Sequence, residues 1–183
     1  MSADNVAIKT MFKMMDLPLD GKISREDFVK YAEYERNHLK LLNPDEAEKV
    51  YSTLLALSDM LGLDKYAKNG GMSYTMRELD IVRRVVSRKD MPAAELAHSL
   101  GSAYFRAIDT NGDHFLERSE WINYLKIRKT FTTEEQAMQS FDSLDKNKEG
   151  VISLEVYAEK AVDFWINLGE EYDAQNLYGT KDL

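Results

Sequence analysis

One pattern recurs along this chain and constrains its fold more than any other. It is an aromatic residue, three residues, an aspartate, a polar loop with an aliphatic residue at its eighth position, then an aromatic residue at its thirteenth. Phe12, Asp16, Ile23 and Phe28 make the first copy; Phe105, Asp109, Leu116 and Trp121 the second; Phe141, Asp145, Ile152 and Tyr157 the third. Such self-similarity marks a repeated supersecondary unit, here helix, loop, helix. Apolar spacing agrees: Ala103, Phe105 and Ile108 lead into the second loop, and Trp121, Tyr124, Leu125 and Ile127 follow it at helical intervals.

The second loop, DTNGDHFLERSE from Asp109 to Glu120, carries the chemistry. Calcium is a large, hard cation that takes six to eight oxygens, and a 12-residue EF-hand loop supplies them from positions 1, 3, 5, 7, 9 and 12. Asp109, Asn111 and Asp113 fall at the first three of these, the Phe115 carbonyl at the fourth, Glu117 at the ninth position and Glu120 at the twelfth, where both carboxylate oxygens can clamp the ion. Position 6 usually holds glycine for its left-handed backbone, and here it is His114. Histidine tolerates positive φ better than most side chains, so the strain is of order 1 kcal/mol, which calcium outweighs.

The other two loops depart from the pattern. In DLPLDGKISRED, Asp16, Asp20 and the Lys22 carbonyl are in place, but Pro18 stands at position 3, and Asp27, shorter than Glu, stands at position 12. Two readings stay open there: a site with water in place of the missing oxygen and a leaning toward the smaller magnesium, or an ion-free loop kept for packing. In DKNKEGVISLEV, Asp145, Asn147, Glu149 and the Val151 carbonyl are in register, but position 12 is Val156. Glu155 is one residue off and points away by roughly 100°, so this loop reads as empty.

The 36 residues from Asp109 to Asp145 suit two adjacent units packed as a pair, and the longer interval from Asp16 leaves room for a fourth. Its remnant is placed at DKYAKNGGMSYTM, with Lys65 first, Gly70 sixth, Met72 eighth and Met76 twelfth, a partner that has lost the ion. Loops pair through their eighth residues, so Ile23 should face Met72 and Leu116 should face Ile152. Asn43 before Pro44 marks one helix start, Thr132 with Glu135 a capping box for another, and Pro92 a third. The expected fold is all-α: four EF-hand units in two paired lobes, residues 1–89 and 90–183, joined through Arg83 to Pro92.

Composition narrows the partners. Lys and Arg total 24 against 32 Asp and Glu, a net charge of −8 without a basic cluster, which argues against nucleic acid and anionic membrane. The absence of cysteine removes disulfides and thiolate sites and fits a reducing cytoplasm. The N-terminal stretch lacks the pattern of a signal peptide, Ser2 stands where myristoylation needs glycine, and no run is long and apolar enough for a membrane span, so no membrane anchor is expected. Met11, Met14, Met15, Met60, Met72 and Met76 read as core residues, with a partner-gripping groove as the alternative. His38, His98 and His114 are scattered, and Ser99 and Ser102 sit in no nucleophile elbow.

Taken in order, ISREDF, YFRAIDTNGD, SFDSLDKN, ISLEVY and the tail Asn176-Leu177-Tyr178-Gly179-Thr180 resemble the invertebrate sarcoplasmic calcium-binding proteins, with calexcitin and the coelenterate luciferin-binding proteins as relatives. The resemblance covers nearly the whole chain. It implies that the two lobes pack into one compact globule and that the protein is a cytoplasmic calcium and magnesium buffer without enzymatic activity; a monomer is expected. Two alternatives stand beside that reading: a calexcitin-like sensor that exposes a surface to a protein partner, and a calcium-triggered carrier of a small apolar ligand such as coelenterazine.

Overall fold

Side chains that satisfy the first free N–H groups decide where these helices begin. The computed structural model describes residues 6–63, 72–89, 92–128 and 133–167. Helix α1 spans Val6–Met15 and turns Ile8, Met11 and Met15, spaced by three and four, into the core. Ser24 caps α2, Arg25–Leu39, in a capping box with Asp27, and Asn43 caps α3, Pro44–Met60, by accepting the Glu46 N–H at 3.2 Å. Helix α4 spans Met76–Lys89, α5 Pro92–Ile108, α6 Arg118–Arg128, α7 Glu134–Leu144 and α8 Leu154–Val162. A π-helical turn, Asp163–Asn167, continues α8. The box at the start of α7 is Thr133 with Gln136, one residue beyond the expected Thr132 and Glu135.

The four loops pair through two short antiparallel ribbons. Strand β3, Phe115–Glu117, meets β4, Val151–Ser153, with Leu116 opposite Ile152 as expected. Strand β1, Ile23–Ser24, meets β2, Ser73–Tyr74, with Ile23 opposite Tyr74 rather than Met72. The second unit is therefore shifted two residues from its sequence reading. Tyr74 takes position 8, Thr75 position 9, and Glu78, not Met76, position 12. Met72 precedes the strand and is exposed, while within the strand Tyr74 turns inward and its neighbour Ser73 turns out. The remainder of that loop, like the C-terminal tail motif from Asn176 to Thr180 and Thr132, lies outside the described residues.

Both ribbon pairs share one hydrophobic cluster, so the two lobes form one body. Helix α3 of the first lobe packs along α5 of the second, where Arg106 pairs with Glu46 at 3.2 Å. Helices α5 and α8 meet at Gly101: a Cβ there would lie 2.6 Å from that of Ala161. The centre of the second lobe is aromatic, with Trp121 5.4 Å from Tyr124 and 5.9 Å from Tyr157 between ring centroids, and its indole N–H donating to Ser140 at 3.1 Å. Arg83 is not part of a linker. It lies inside α4, only 2% exposed. Met11 and Met15 are fully buried, and Met14 and Met76 pack at the edge of the core, which is the packing role expected of them.

Candidate metal centres

Each loop opens with an aspartate that ends the entering helix and folds the chain around its own carboxylate. Asp16 accepts the Asp20 N–H at 3.1 Å and the Gly21 N–H at 2.9 Å; Asp145 accepts those of Glu149 at 3.0 Å and Gly150 at 2.8 Å. Asp109 accepts the Gly112 N–H at 2.8 Å and the His114 N–H at 3.1 Å. All three aspartates are buried. Three loops of different sequence thus share one geometry, because the position-1 carboxylate is the common template.

That geometry demands left-handed backbone twice per loop. Position 6 has φ of 78° at Gly21, 71° at His114 and 80° at Gly150. Position 4 has φ of 57° at Leu19, 74° at Gly112 and 56° at Lys148. Each loop holds one glycine and one other residue at the two positions, with strain of about 1 kcal/mol from the latter. The Asp109 loop has merely exchanged the places: glycine at 4, histidine at 6.

Position 12 separates the loops. Glu120 reaches back across its loop, one oxygen accepting the Thr110 N–H at 2.8 Å, the Thr110 hydroxyl at 3.0 Å and the Asn111 N–H at 3.2 Å. Its other oxygen accepts the Glu117 N–H at 3.2 Å. Asp27 is one methylene shorter and stays with its own helix start, taking the Ser24 N–H at 2.8 Å and the Ser24 hydroxyl at 2.6 Å. Val156 packs against the core, beside a cleft of about 230 Å³ that Asp145, Asn147 and Glu149 also line. In the second unit Glu78 accepts the Thr75 N–H at 2.9 Å and its hydroxyl at 2.8 Å, and these bonds from Thr75 hold its carboxyl below the usual range. The sequence reading missed Glu78; the Thr-x-x-Glu capping signature was the signal that would have found it.

The ligand positions of residues 109–120 carry oxygen throughout: Asn111 and Asp113 side chains hydrogen bonded to each other at 3.1 Å, two buried carboxylates at positions 1 and 12, Glu117 at position 9 and a carbonyl at Phe115. This hard set fits calcium. Among the described residues no three acidic or imidazole groups converge on a single point, because each carboxylate here is held by loop N–H groups. For Glu120 to clamp an ion it would have to leave the Thr110 and Asn111 donors.

Residues 99–161 match the EF-hand domain pair family, and residues 8–30 match the EF hand. Over 174 residues, 94% of this chain and 91% of the relative, the sequence is 30% identical to the luciferin-binding protein of Renilla reniformis. Among solved structures, the calcium-loaded coelenterazine-binding protein of Renilla muelleri in its apo form is similar in fold at a TM-score of 0.58 and 24% identity, covering 99% of this chain and 100% of the other. Calcium-loaded apo-aequorin from Aequorea victoria has a TM-score of 0.69 at 19% identity, covering 87% and 88%.

Proposed function

We propose, from the premise that this chain belongs to the EF-hand calcium-binding family of Renilla luciferin-binding protein and binds calcium, that it carries a small apolar ligand of the coelenterazine kind and releases it when calcium arrives. The observation that supports this most is the extent of the likeness to a luciferin-binding protein, which runs nearly the full length of both chains. Such a likeness includes the core, and not only the loops that any EF-hand protein shares. It moves the carrier reading ahead of the buffering one that the resemblance to sarcoplasmic calcium-binding proteins first suggested.

The ligands are Asp109, Asn111 and Asp113, the Phe115 carbonyl, Glu117 and Glu120. Bound calcium supplies a double positive charge that neutralises the loop acids and draws the start of α6 toward Asp109 through Glu120. The Asp16 loop, with Asp16, Asp20, the Lys22 carbonyl and Asp27, is a weaker second site open to magnesium, since Asp27 is engaged with Ser24. The Asp145 loop, with Asp145, Asn147, Glu149 and the Val151 carbonyl but Val156 at the clamp, serves as the partner of the Asp109 loop. We assign residues 1–89 and 90–183 as the two EF-hand pairs of a cytoplasmic monomer that acts by binding rather than catalysis. No helix among the described residues is long and apolar enough to cross a membrane.

The second reading is a calcium buffer, favoured by a tightly filled interior whose cavity between the lobes measures about 20 Å³. One experiment separates the two. Calcium-free protein is incubated with coelenterazine, passed through gel filtration, and then given calcium. Co-elution followed by calcium-driven release supports the carrier; no co-elution in either condition leaves the buffer.

A further inference from the structure

The small cavity has a wall that its apolar character does not explain. Met11 of α1, Leu57 and Met60 of α3, and Trp165 and Ile166 of the π-helical turn line it, and so does Arg83 of α4; every lining side chain but Arg83 is apolar. Arg83 is 2% exposed, and its guanidinium has five N–H groups to satisfy. One nitrogen donates to the Phe164 carbonyl at 3.0 Å, a second meets only the Met11 sulfur at 3.9 Å, and Nε has no hydrogen-bond partner. Asp80, one turn earlier, gives one carboxylate oxygen to Arg84 at 3.0 Å; its charge favours the Arg83 cation, but no hydrogen bond joins the two. A buried guanidinium with N–H groups that meet no acceptor is costly, and Asp80 offsets only the charge and not the missing hydrogen bonds. Burial pushes the Arg83 pKa down to about 9.

Packing alone would be served by leucine or methionine at this point, as it is all around it. A free water or inorganic anion finds too few polar partners there, since either needs several and Arg83 with the Phe164 carbonyl are what the wall offers. An occupant that brings its own apolar body and a single acidic oxygen fits both halves of the wall. We infer that Arg83 is the polar anchor of the ligand cavity, selecting an apolar molecule that presents one anionic oxygen, a phenolate, enolate or carboxylate. This rests on the carrier reading. The present volume has room for about one water, so the ligand body enters by displacing Met11, Met60 and Trp165, of which the unbranched methionines reorient most readily. The π-helical turn carries both Phe164, whose carbonyl Arg83 holds, and Trp165, so the anchor and the displaced wall belong to one segment.

The test compares 2-naphthoate with 2-acetylnaphthalene, similar in shape and different in charge, alongside coelenterazine, on calcium-free protein by calorimetry and tryptophan quenching. Wild type should bind naphthoate at least tenfold more tightly than acetylnaphthalene. Arg83→Met should abolish that preference and Arg83→Lys should keep part of it, with thermal melts showing both variants folded. Should Arg83→Met fail to fold, the wild-type preference and the Arg83→Lys value still decide. Equal affinity for the two probes, or no binding of either, overturns the anchor even if coelenterazine binds. Arg83-dependent naphthoate binding without coelenterazine binding keeps the anchor and removes the coelenterazine-like ligand from the carrier reading.

Discussion

Glu120 closes its loop on Thr110: one carboxylate oxygen accepts both the Thr110 N–H at 2.8 Å and the Thr110 hydroxyl at 3.0 Å. This contact spans the loop from its twelfth position to its second, so the side chain already sits over the ligand face. Glu120→Gln keeps the shape and removes the charge. In calorimetric titration it should lose the tightest calcium site, with affinity down at least tenfold. Calcium at a hundred times its dissociation constant adds about 2.7 kcal/mol of stability by binding the folded chain. The variant should lose nearly all of that gain in melts with and without chelator; an unchanged calcium-dependent shift would refute Glu120 as the clamp.

The lobes are joined by a buried ion pair, Glu35 of α2 with Arg128 of α6, both almost wholly out of solvent. Burial opposes the Arg128 charge, and Glu35 outweighs it, holding the guanidinium protonated well above its usual range. Tyr34 adds a hydroxyl bond to the Arg128 carbonyl at 2.6 Å. Removing one partner leaves the other charge buried, so Glu35→Gln should cost about 3–5 kcal/mol in urea unfolding. Replacing both, Glu35→Leu with Arg128→Met, should recover most of the loss. If the double variant is no better than the single ones, the cost lies in packing and not in the stranded charge.

Gly101 poses two effects of opposite sign. Alanine in mid-helix gains about 1 kcal/mol over glycine from propensity. Its Cβ, however, would stand 2.6 Å from Ala161 and 3.0 Å from the Ala158 backbone, and backbone cannot step aside cheaply. Overpacking of this kind costs about 1–3 kcal/mol, so Gly101→Ala should be destabilising on balance. Adding Ala161→Gly should restore part of the loss, as read by the midpoint of thermal unfolding.

The loops were legible because their chemistry fixes residue types at fixed spacing: Leu116 opposite Ile152 followed directly from Asp109 and Asp145. The second unit was not, because Gly70 and Gly71 imitate a position-6 glycine while the actual register is set by Thr75 capping with Glu78, a local bond that outweighs the glycine signal. Thr132 and Thr133 offered two overlapping capping boxes in one run, and the chain uses the later. The ion pair of Glu35 with Arg128 joins residues 93 apart, and no periodicity marks either as buried. Arg83 has Arg84 as its neighbour, and only the packing of α4 against the π-helical turn shows which is inside.

Glu78 gives the pH dependence a direction. Its carboxyl is held below the ordinary value by the Thr75 N–H and hydroxyl, so the folded state prefers the charged form. The sign follows from linkage: the stabilisation is present above the unfolded pKa and lost as pH falls through the lower folded one. Thermal midpoints of wild type should therefore drop between about pH 5 and pH 3 more steeply than those of Glu78→Gln. Parallel curves for the two proteins would show that the Thr75 bonds do not stabilise the charge.

Adding a clamp tests whether one side chain limits calcium binding at the third loop. Asp145 already folds that loop as Asp109 folds its own, Gly150 supplies the left-handed position 6, and Ser153 caps α8. Val156→Glu places a carboxylate at position 12 beside a cleft of about 230 Å³ that Asp145, Asn147 and Glu149 share, so the new side chain has space to turn in. Without calcium the variant should melt lower than wild type, since Val156 contributes to the core edge and a charge does not. With calcium it should recover, and calorimetry should count one more site than in wild type. Pro18→Asp in the first loop should do less, because the oxygen it adds still lacks a clamp while Asp27 is held by Ser24. An unchanged stoichiometry in Val156→Glu would refute the missing carboxylate as what limits binding at this loop.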